Sequence, residues 1–223
     1  MIKYESRLAE AGIAYNLLQN AGCQLIVVSK TRPLEAISAW YELGQRDFGE
    51  NRVPEMCDKY EALPKDIRWH LIGHLQSNKV RAAAPFVHLI HAVDSWDLLR
   101  EIDKQAKKCD RIIDVLIQFY IAKEATKYGF SEEEFLQKMS SELLANLPNV
   151  RICGVMGMAT FTEDKAQVRS EFRVLHQLFE RLKSAFFADE AYFKTISMGM
   201  SGDYDIAVEE GSTMVRIGSL LFP

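Results

Sequence analysis

The sequence predicts a (β/α)8 barrel, and three observations predict it. Eight short apolar runs of strand length alternate with stretches of helical periodicity along the 223 residues. The connections between these runs are long enough for the right-handed crossovers that parallel strands require. Lys30, Asn51, Ser201, Ser219 and other reactive or hydrogen-bonding residues fall directly after the runs, at the strand ends where such barrels collect their chemistry. The rival is an open, doubly wound sheet. Eight regularly spaced strands favour closure.

Taken in order, Tyr4 to Asn20 carries Leu8, Ala11, Tyr15 and Leu18 at helical spacing, with Gly22 at its exit. The first strand ends in Leu25-Ile26-Val27-Val28, apolar on both faces as a buried parallel strand is. Pro33 opens a helix to Leu43, stopped by Gly44. Arg46 to Gly49 is a second strand, and Val53 to Leu63 a helix with Pro54 in its first turn. Arg68 to Gly73 is a third strand, followed by a short helix from Asn78 to Ala84. Val87 to Val93 is a fourth strand. Asp94 or Ser95 caps the helix from Trp96 to Lys108, which ends on cations as its dipole favours. Ile112 to Phe119 is a fifth strand. Ser131-Glu132-Glu133-Glu134 is a capping box opening a helix to Leu147. Val150 to Met156 is a sixth strand, and Lys165 to Phe187 the longest helix. Phe193 to Met198, a short helix from Tyr204 to Glu209, and Met214 to Ile217 complete the eight strands. The N-terminal helix is expected to cover the seam left where no helix follows the last strand. Without linker, repeat or low-complexity segment, residues 1–223 are expected to form a single domain.

Hydrophobic residues make up 48% and charged residues 26% of the chain, enough for a substantial core. A net charge of −4 argues against general affinity for nucleic acid or membrane surfaces. The four cysteines form no CxxC pair, so reduced thiols in a cytoplasmic protein are expected. The opening residues MIKYESRLAEAG carry no apolar run, so no signal peptide is expected, and no run is long enough to span a bilayer. The outer helices carry no obvious apolar stripe, so a monomer is expected.

Lys30 follows the first buried strand. Held among apolar neighbours, its ammonium form would be penalised, leaving an amine able to form a Schiff base; read from this stretch alone, a surface lysine that caps the strand end is the favoured alternative. Two glycine- and serine-rich turns follow strands seven and eight, where this fold often holds phosphate. Ser201 and Ser219 offer hydroxyls there, and Gly218 and Ser219 offer backbone N–H groups. Arg216 lies between Val215 and Ile217, so alternation points it opposite to them, into the barrel or its mouth. A buried arginine needs an acceptor, either a structural partner or a ligand heteroatom. His70 and His74 lie four apart but on a strand and turn, so zinc is not expected. His88 and His91 are expected on opposite faces of the fourth strand.

VVSKTRP, FGENRV, WHLIGHLQSNK, IHAVDS and SMGMSGDYDIAVEEGSTMVRIGSLLF together resemble the YggS/PROSC family of pyridoxal phosphate homeostasis proteins. The resemblance runs from the first strand to the C-terminus. It implies a barrel similar to the N-terminal domain of alanine racemase, without that enzyme's second domain. It implies pyridoxal 5′-phosphate held covalently as an aldimine on Lys30, with Ser201, Gly218 and Ser219 in the phosphate-holding turns. Arg216 matches the arginine facing the pyridine nitrogen, and Asn51 and Met200 match positions near the cofactor. The sequence departs from the family at Phe119-Tyr120, where Val-Asn is usual, and in stopping at Pro223.

The expected function is therefore to bind the cofactor and maintain its intracellular supply, without robust catalysis and with no residue assigned as catalytic. Which pyridoxal-phosphate-dependent apo-enzymes would receive the cofactor, if any, is not set by the sequence. Two alternatives stand beside this. One is a low-efficiency amino-acid racemase with Lys30 as one base and Tyr120 as a conceivable second. The other is a cofactor-independent Schiff-base aldolase.

Overall fold

The computed structural model describes residues 21–122 and 128–222. It is a closed barrel of eight parallel strands in sequence order, with the last strand paired to the first. The open-sheet alternative is thereby set aside. The strands are β1 (Gln24–Val28), β2 (Asp47–Glu50), β3 (Arg68–Leu71), β4 (Leu89–Val93), β5 (Ile113–Gln118), β6 (Val150–Met156), β7 (Thr195–Ser197) and β8 (Met214–Ile217). The helices are α1 (Leu34–Glu42), α2 (Val53–Ala62), α3 (Val80–Ala83), α4 (Trp96–Lys108), α5 (Glu132–Lys138), α6 (Ser141–Ala145), α7 (Lys165–Phe186) and α8 (Tyr204–Glu209). The expected helix from Tyr4 to Asn20, with its role at the seam, lies outside the described residues. Among the described residues no helix is long and apolar enough to cross a membrane.

Alternation along the strands creates two cores. Val27, Phe48, Trp69, Ile90, Val115, Ile117, Val155, Ile196, Val215 and Ile217 face outward and pack with the helices. A smaller inner cluster of Ile26, Leu89, Ala92, Leu116, Cys153, Met156 and Met214 fills part of the barrel. Each fully buried aliphatic or aromatic side chain contributes roughly 1.5–3 kcal/mol, so the outer layer dominates stability.

Two predicted features are corrected. The helix expected from Ser131 to Leu147 breaks at Met139. Ser131 forms the predicted capping box on α5, but Ser140 starts α6 as a second N-cap, accepting from the Leu143 N–H at 3.1 Å. The β4–β5 register shifts between Ile90 and Val93, which interrupts alternation. His88 precedes β4, so strand alternation does not govern it, and His88 and His91 do not part to opposite faces: both ring centroids lie within 5.3 Å of that of His70.

Phe119 explains one departure from the family pattern. It is buried outside the barrel, 5.2 Å from Phe135 in an aromatic cluster with Trp96 and Phe130. That cluster seats α5 against β5.

Candidate functional site

β1 delivers Lys30 to the C-terminal mouth through a two-residue turn. Lys30 is exposed there and not enclosed by apolar neighbours, which corrects the expected apolar enclosure and agrees with the surface alternative. The strain lies at the next residue. Thr31 has φ +61°, a conformation that a β-branched side chain adopts only when its surroundings impose it. The Thr31 N–H donates to Glu55 Oε1 at 2.6 Å, which ties the turn to α2.

Beneath that turn lies a buried ion cluster. Lys59 Nζ donates to the Ser29 carbonyl, Glu50 Oε1 and Glu55 Oε1, each at 2.7 Å. Ser29 Oγ donates to the same Glu50 oxygen at 2.6 Å. Burial pushes the Glu50 carboxyl up, against the opposing bonds from Lys59 and Ser29. Its other oxygen, Oε2, is buried with no hydrogen-bond partner among the described residues.

The ends of β7 and β8 converge beside β1. Val27 pairs with Ile217, so Gly218 packs on Val28, and a Cβ at Gly218 would stand 3.2 Å from the Val28 carbonyl oxygen. The Gly218 N–H donates to Ser201 Oγ at 3.4 Å, joining the two turns that were singled out as phosphate candidates. Gly199 opens the first turn at φ +97°, and its carbonyl accepts from the Arg216 N–H at 3.0 Å. The Met200 N–H donates to Asp203 Oδ1 at 2.6 Å, and burial pushes that carboxyl up. Ser219 and Met200 are exposed at the rim, and Asn51 is half-buried beside Gly73. Among the described residues, no side-chain hydrogen bond joins Lys30, Asn51, Met200 or Ser219 to the Ser201–Gly218 link.

Arg216 is the buried cation of the mouth, with 4% of its surface exposed. Nη1 donates to Ser197 Oγ at 2.5 Å and Nη2 to the Gly157 carbonyl at 3.2 Å. Neither partner is charged. Burial brings its guanidinium down to about 10, against the attraction of Asp203.

Sequence reasoning missed what lies behind Arg216. Ser197 Oγ is 3.0 Å from His91 Nδ1, His91 Nε2 is 3.0 Å from His70 Nδ1, and His70 Nε2 is 3.0 Å from Asp47 Oδ1. Arg68 clasps both oxygens of Asp47, at 2.7 and 2.5 Å. The available signal was a polar residue inside an apolar strand: His70 before Leu71, His91 between Ile90 and Ala92, and Ser197 between Ile196 and Met198. His74 takes no part, since its Nδ1 pairs with Asp94 at 2.8 Å. The ligand atoms of Asp47, His70 and His88 come within 4.8 Å of one another, but the Asp47 oxygens already accept from Arg68 and His70.

Known proteins share this architecture. The family model for the alanine racemase N-terminal domain matches residues 13–223. A pyridoxal phosphate homeostasis protein of Aquifex aeolicus is 42% identical over 200 residues, covering 89% of this chain and 86% of the relative. One from Vibrio alginolyticus is 38% identical, covering 89% and 85%. Among solved structures, PipY of Synechococcus elongatus with pyridoxal phosphate (PLP) bound is 36% identical with a TM-score of 0.81, covering 91% of this chain and 93% of that one. Alanine racemase of Bartonella henselae, at 17% identity and a TM-score of 0.67, shares the fold over 93% of this chain and 59% of its own.

Proposed function

This chain belongs to the alanine racemase N-terminal domain family and, within it, to the pyridoxal phosphate homeostasis proteins, and on that premise we propose that it binds pyridoxal 5′-phosphate at the barrel mouth as holder and donor of the cofactor. One observation carries the proposal: Arg216 is a buried cation whose hydrogen-bond partners among the described residues are both neutral, two residues before the turn that joins Gly218 to Ser201. A buried charge held this way favours a ligand that brings acceptors.

The donor set fits that cofactor. Ser201, Ser219 and the N–H groups of Gly218 and Ser219 would hold the phosphate, whose close approach requires the missing side chain at Gly218. Arg216 would face the ring nitrogen as a permanent donor, which disfavours a proton there. Lys30 supplies the tethering amine on the strained turn, and Asn51 and Met200 would border the ring. When bound, the cofactor supplies an aldehyde that an amine captures reversibly and a ring that withdraws electrons. A donor-only arginine at the ring nitrogen weakens that withdrawal, which suits storage and exchange over turnover.

A racemase would need a second base across the ring. Burial pushes the Cys153 thiol inside the barrel up to about 12 and the Cys23 thiol up to about 11, so neither offers a thiolate near neutral pH. We read the protein as a single-domain cytoplasmic monomer that passes cofactor to apo-enzymes. The test is to load the purified protein and its Lys30→Ala variant with pyridoxal phosphate and record visible spectra. A shifted band that only the Lys30 protein gives supports the proposal; identical spectra contradict it. Deuterium exchange at Cα of L-alanine, with formation of D-alanine, would instead support the racemase.

A further inference from the structure

Two ends fix the direction of the hydrogen bonds that run from Asp47 to Arg216. At the mouth, Arg216 has no acceptor, so its Nη1–H donates to Ser197 Oγ. At the base, Asp47 is a carboxylate. Burial alone would raise its pKa, but bonds from Arg68 and His70 overcome that and hold it well below the usual carboxylate range. A carboxylate only accepts, so the His70 Nε2–H donates to Asp47 Oδ1. Burial keeps both His70 and His91 neutral, and His91 falls well below its ordinary value with Arg216 adding to the effect. A neutral imidazole carries one proton, so with its Nε2 protonated His70 must accept at Nδ1 from His91 Nε2–H. His91 then accepts at Nδ1 from the Ser197 hydroxyl. Reversal would point an imidazole lone pair at the Asp47 carboxylate, or require an imidazolium at His70, which burial disfavours.

We propose that Asp47, His70, His91 and Ser197 form a one-way hydrogen-bond relay that positions Arg216, with polarity set at the barrel base and delivered at the mouth. Aligned donors polarise one another, so the Ser197 oxygen that meets Arg216 is a stronger acceptor than an isolated hydroxyl. Among the described residues the guanidinium is thus fixed without a carboxylate in contact, and its other N–H groups keep their charge for a ligand. Ser197 and His91 are positioning residues; they act through Arg216. Arg68 is about half-exposed at the base, so the relay runs from solvent-facing charge to the site. The charged groups facing it are Asp47 on β2, Arg68 on β3, Asp114 on β5, Asp203 after β7 and Arg216 on β8. His88 adds a third imidazole at the base, also lowered by burial.

The role at the cofactor rests on the function proposed above; the direction of the relay does not. The decisive measurement is therefore made first on cofactor-free wild-type protein. Long-range 15N–1H spectra distinguish the two imidazole tautomers, and loss of a signal in His70→Gln and His91→Gln variants assigns them. The relay requires both residues to be neutral with the proton on Nε2 at pH 7. A proton on Nδ1 of either ring, or an imidazolium, overturns it. Asp47→Asn removes the fixed anchor, and a tautomer change at His70 or His91 is expected. Unchanged tautomers there would contradict the assignment of Asp47 as the source of polarity.

The second readout is affinity for pyridoxal phosphate. Ser197→Ala should weaken it about tenfold, with a shifted absorption band, and Ser197→Thr should restore both. Affinity and band unchanged in Ser197→Ala would contradict positioning through Arg216. If wild-type protein binds no pyridoxal phosphate while both imidazoles show Nε2 protons, the proposed function fails and the relay stands.

Discussion

Lys59 and Arg216 are both buried cations, and their surroundings are opposite. Lys59 spends all three donors on one carbonyl and two carboxylates. Its charge is consumed within the protein, where it holds the Lys30 turn to α2. Arg216 meets a hydroxyl and a carbonyl, both neutral, and among the described residues keeps further N–H groups uncommitted. Equal burial thus serves two ends. A cation locked to carboxylates builds the scaffold, whereas one held by neutral acceptors keeps its charge for something that arrives.

The comparison breaks most visibly in stability. Lys59→Met leaves Glu50 buried without its counter-ion and should cost about 3–5 kcal/mol. Arg216→Leu orphans only neutral acceptors and should cost about 1–3 kcal/mol. Urea denaturation of the cofactor-free proteins compares the two directly. Equal losses would mean that Arg216 is as structural as Lys59.

Cofactor affinity should rank them the other way. Arg216→Leu is expected to weaken pyridoxal phosphate binding at least a hundredfold, since a charge-assisted contact and the site's buried cation go together, on the order of 3 kcal/mol. Equilibrium dialysis reads it, and a near wild-type constant would refute the assignment. Within the neighbouring turns, Ser201→Ala should cost about 1.5–3 kcal/mol of binding, tenfold or more.

The smallest expected effect is in pH dependence, and its sign separates the two networks. His70, His91 and Asp47 all have lowered folded-state pKa values. Their contribution to stability is present above the unfolded values and is lost as pH falls, from about 6.5 for the imidazoles and about 4 for Asp47. Glu50 is raised, so its contribution has the opposite sign and protonation relieves it. His91→Gln should therefore flatten the fall in denaturation midpoint just below pH 6.5. An unchanged slope would show that His91 does not titrate differently on folding.

The barrel was legible because periodicity and turn chemistry are local. β6, α4, α8 and β8 coincide with their sequence boundaries. The placement of Lys30, Ser201 and Gly218 at the mouth was also legible, because a barrel brings residues that follow its strands to one face, and alternation within β8 placed Arg216 inside. The break at Met139 was not, since the capping box at Ser131 hid a second cap at Ser140. The relay was not, because it joins side chains from β2, β3, β4 and β7 whose meeting depends on the register between strands. Nor was the exposure of Lys30: an apolar strand does not determine what surrounds the turn that follows it.

The most direct test of the account is the identity of the tethering amine. After loading with pyridoxal phosphate and reduction with borohydride, peptide mapping should find the pyridoxyl phosphate mass on Lys30 alone. The adduct on a different lysine, or no adduct after loading, would contradict the assignment of this barrel mouth as the cofactor site.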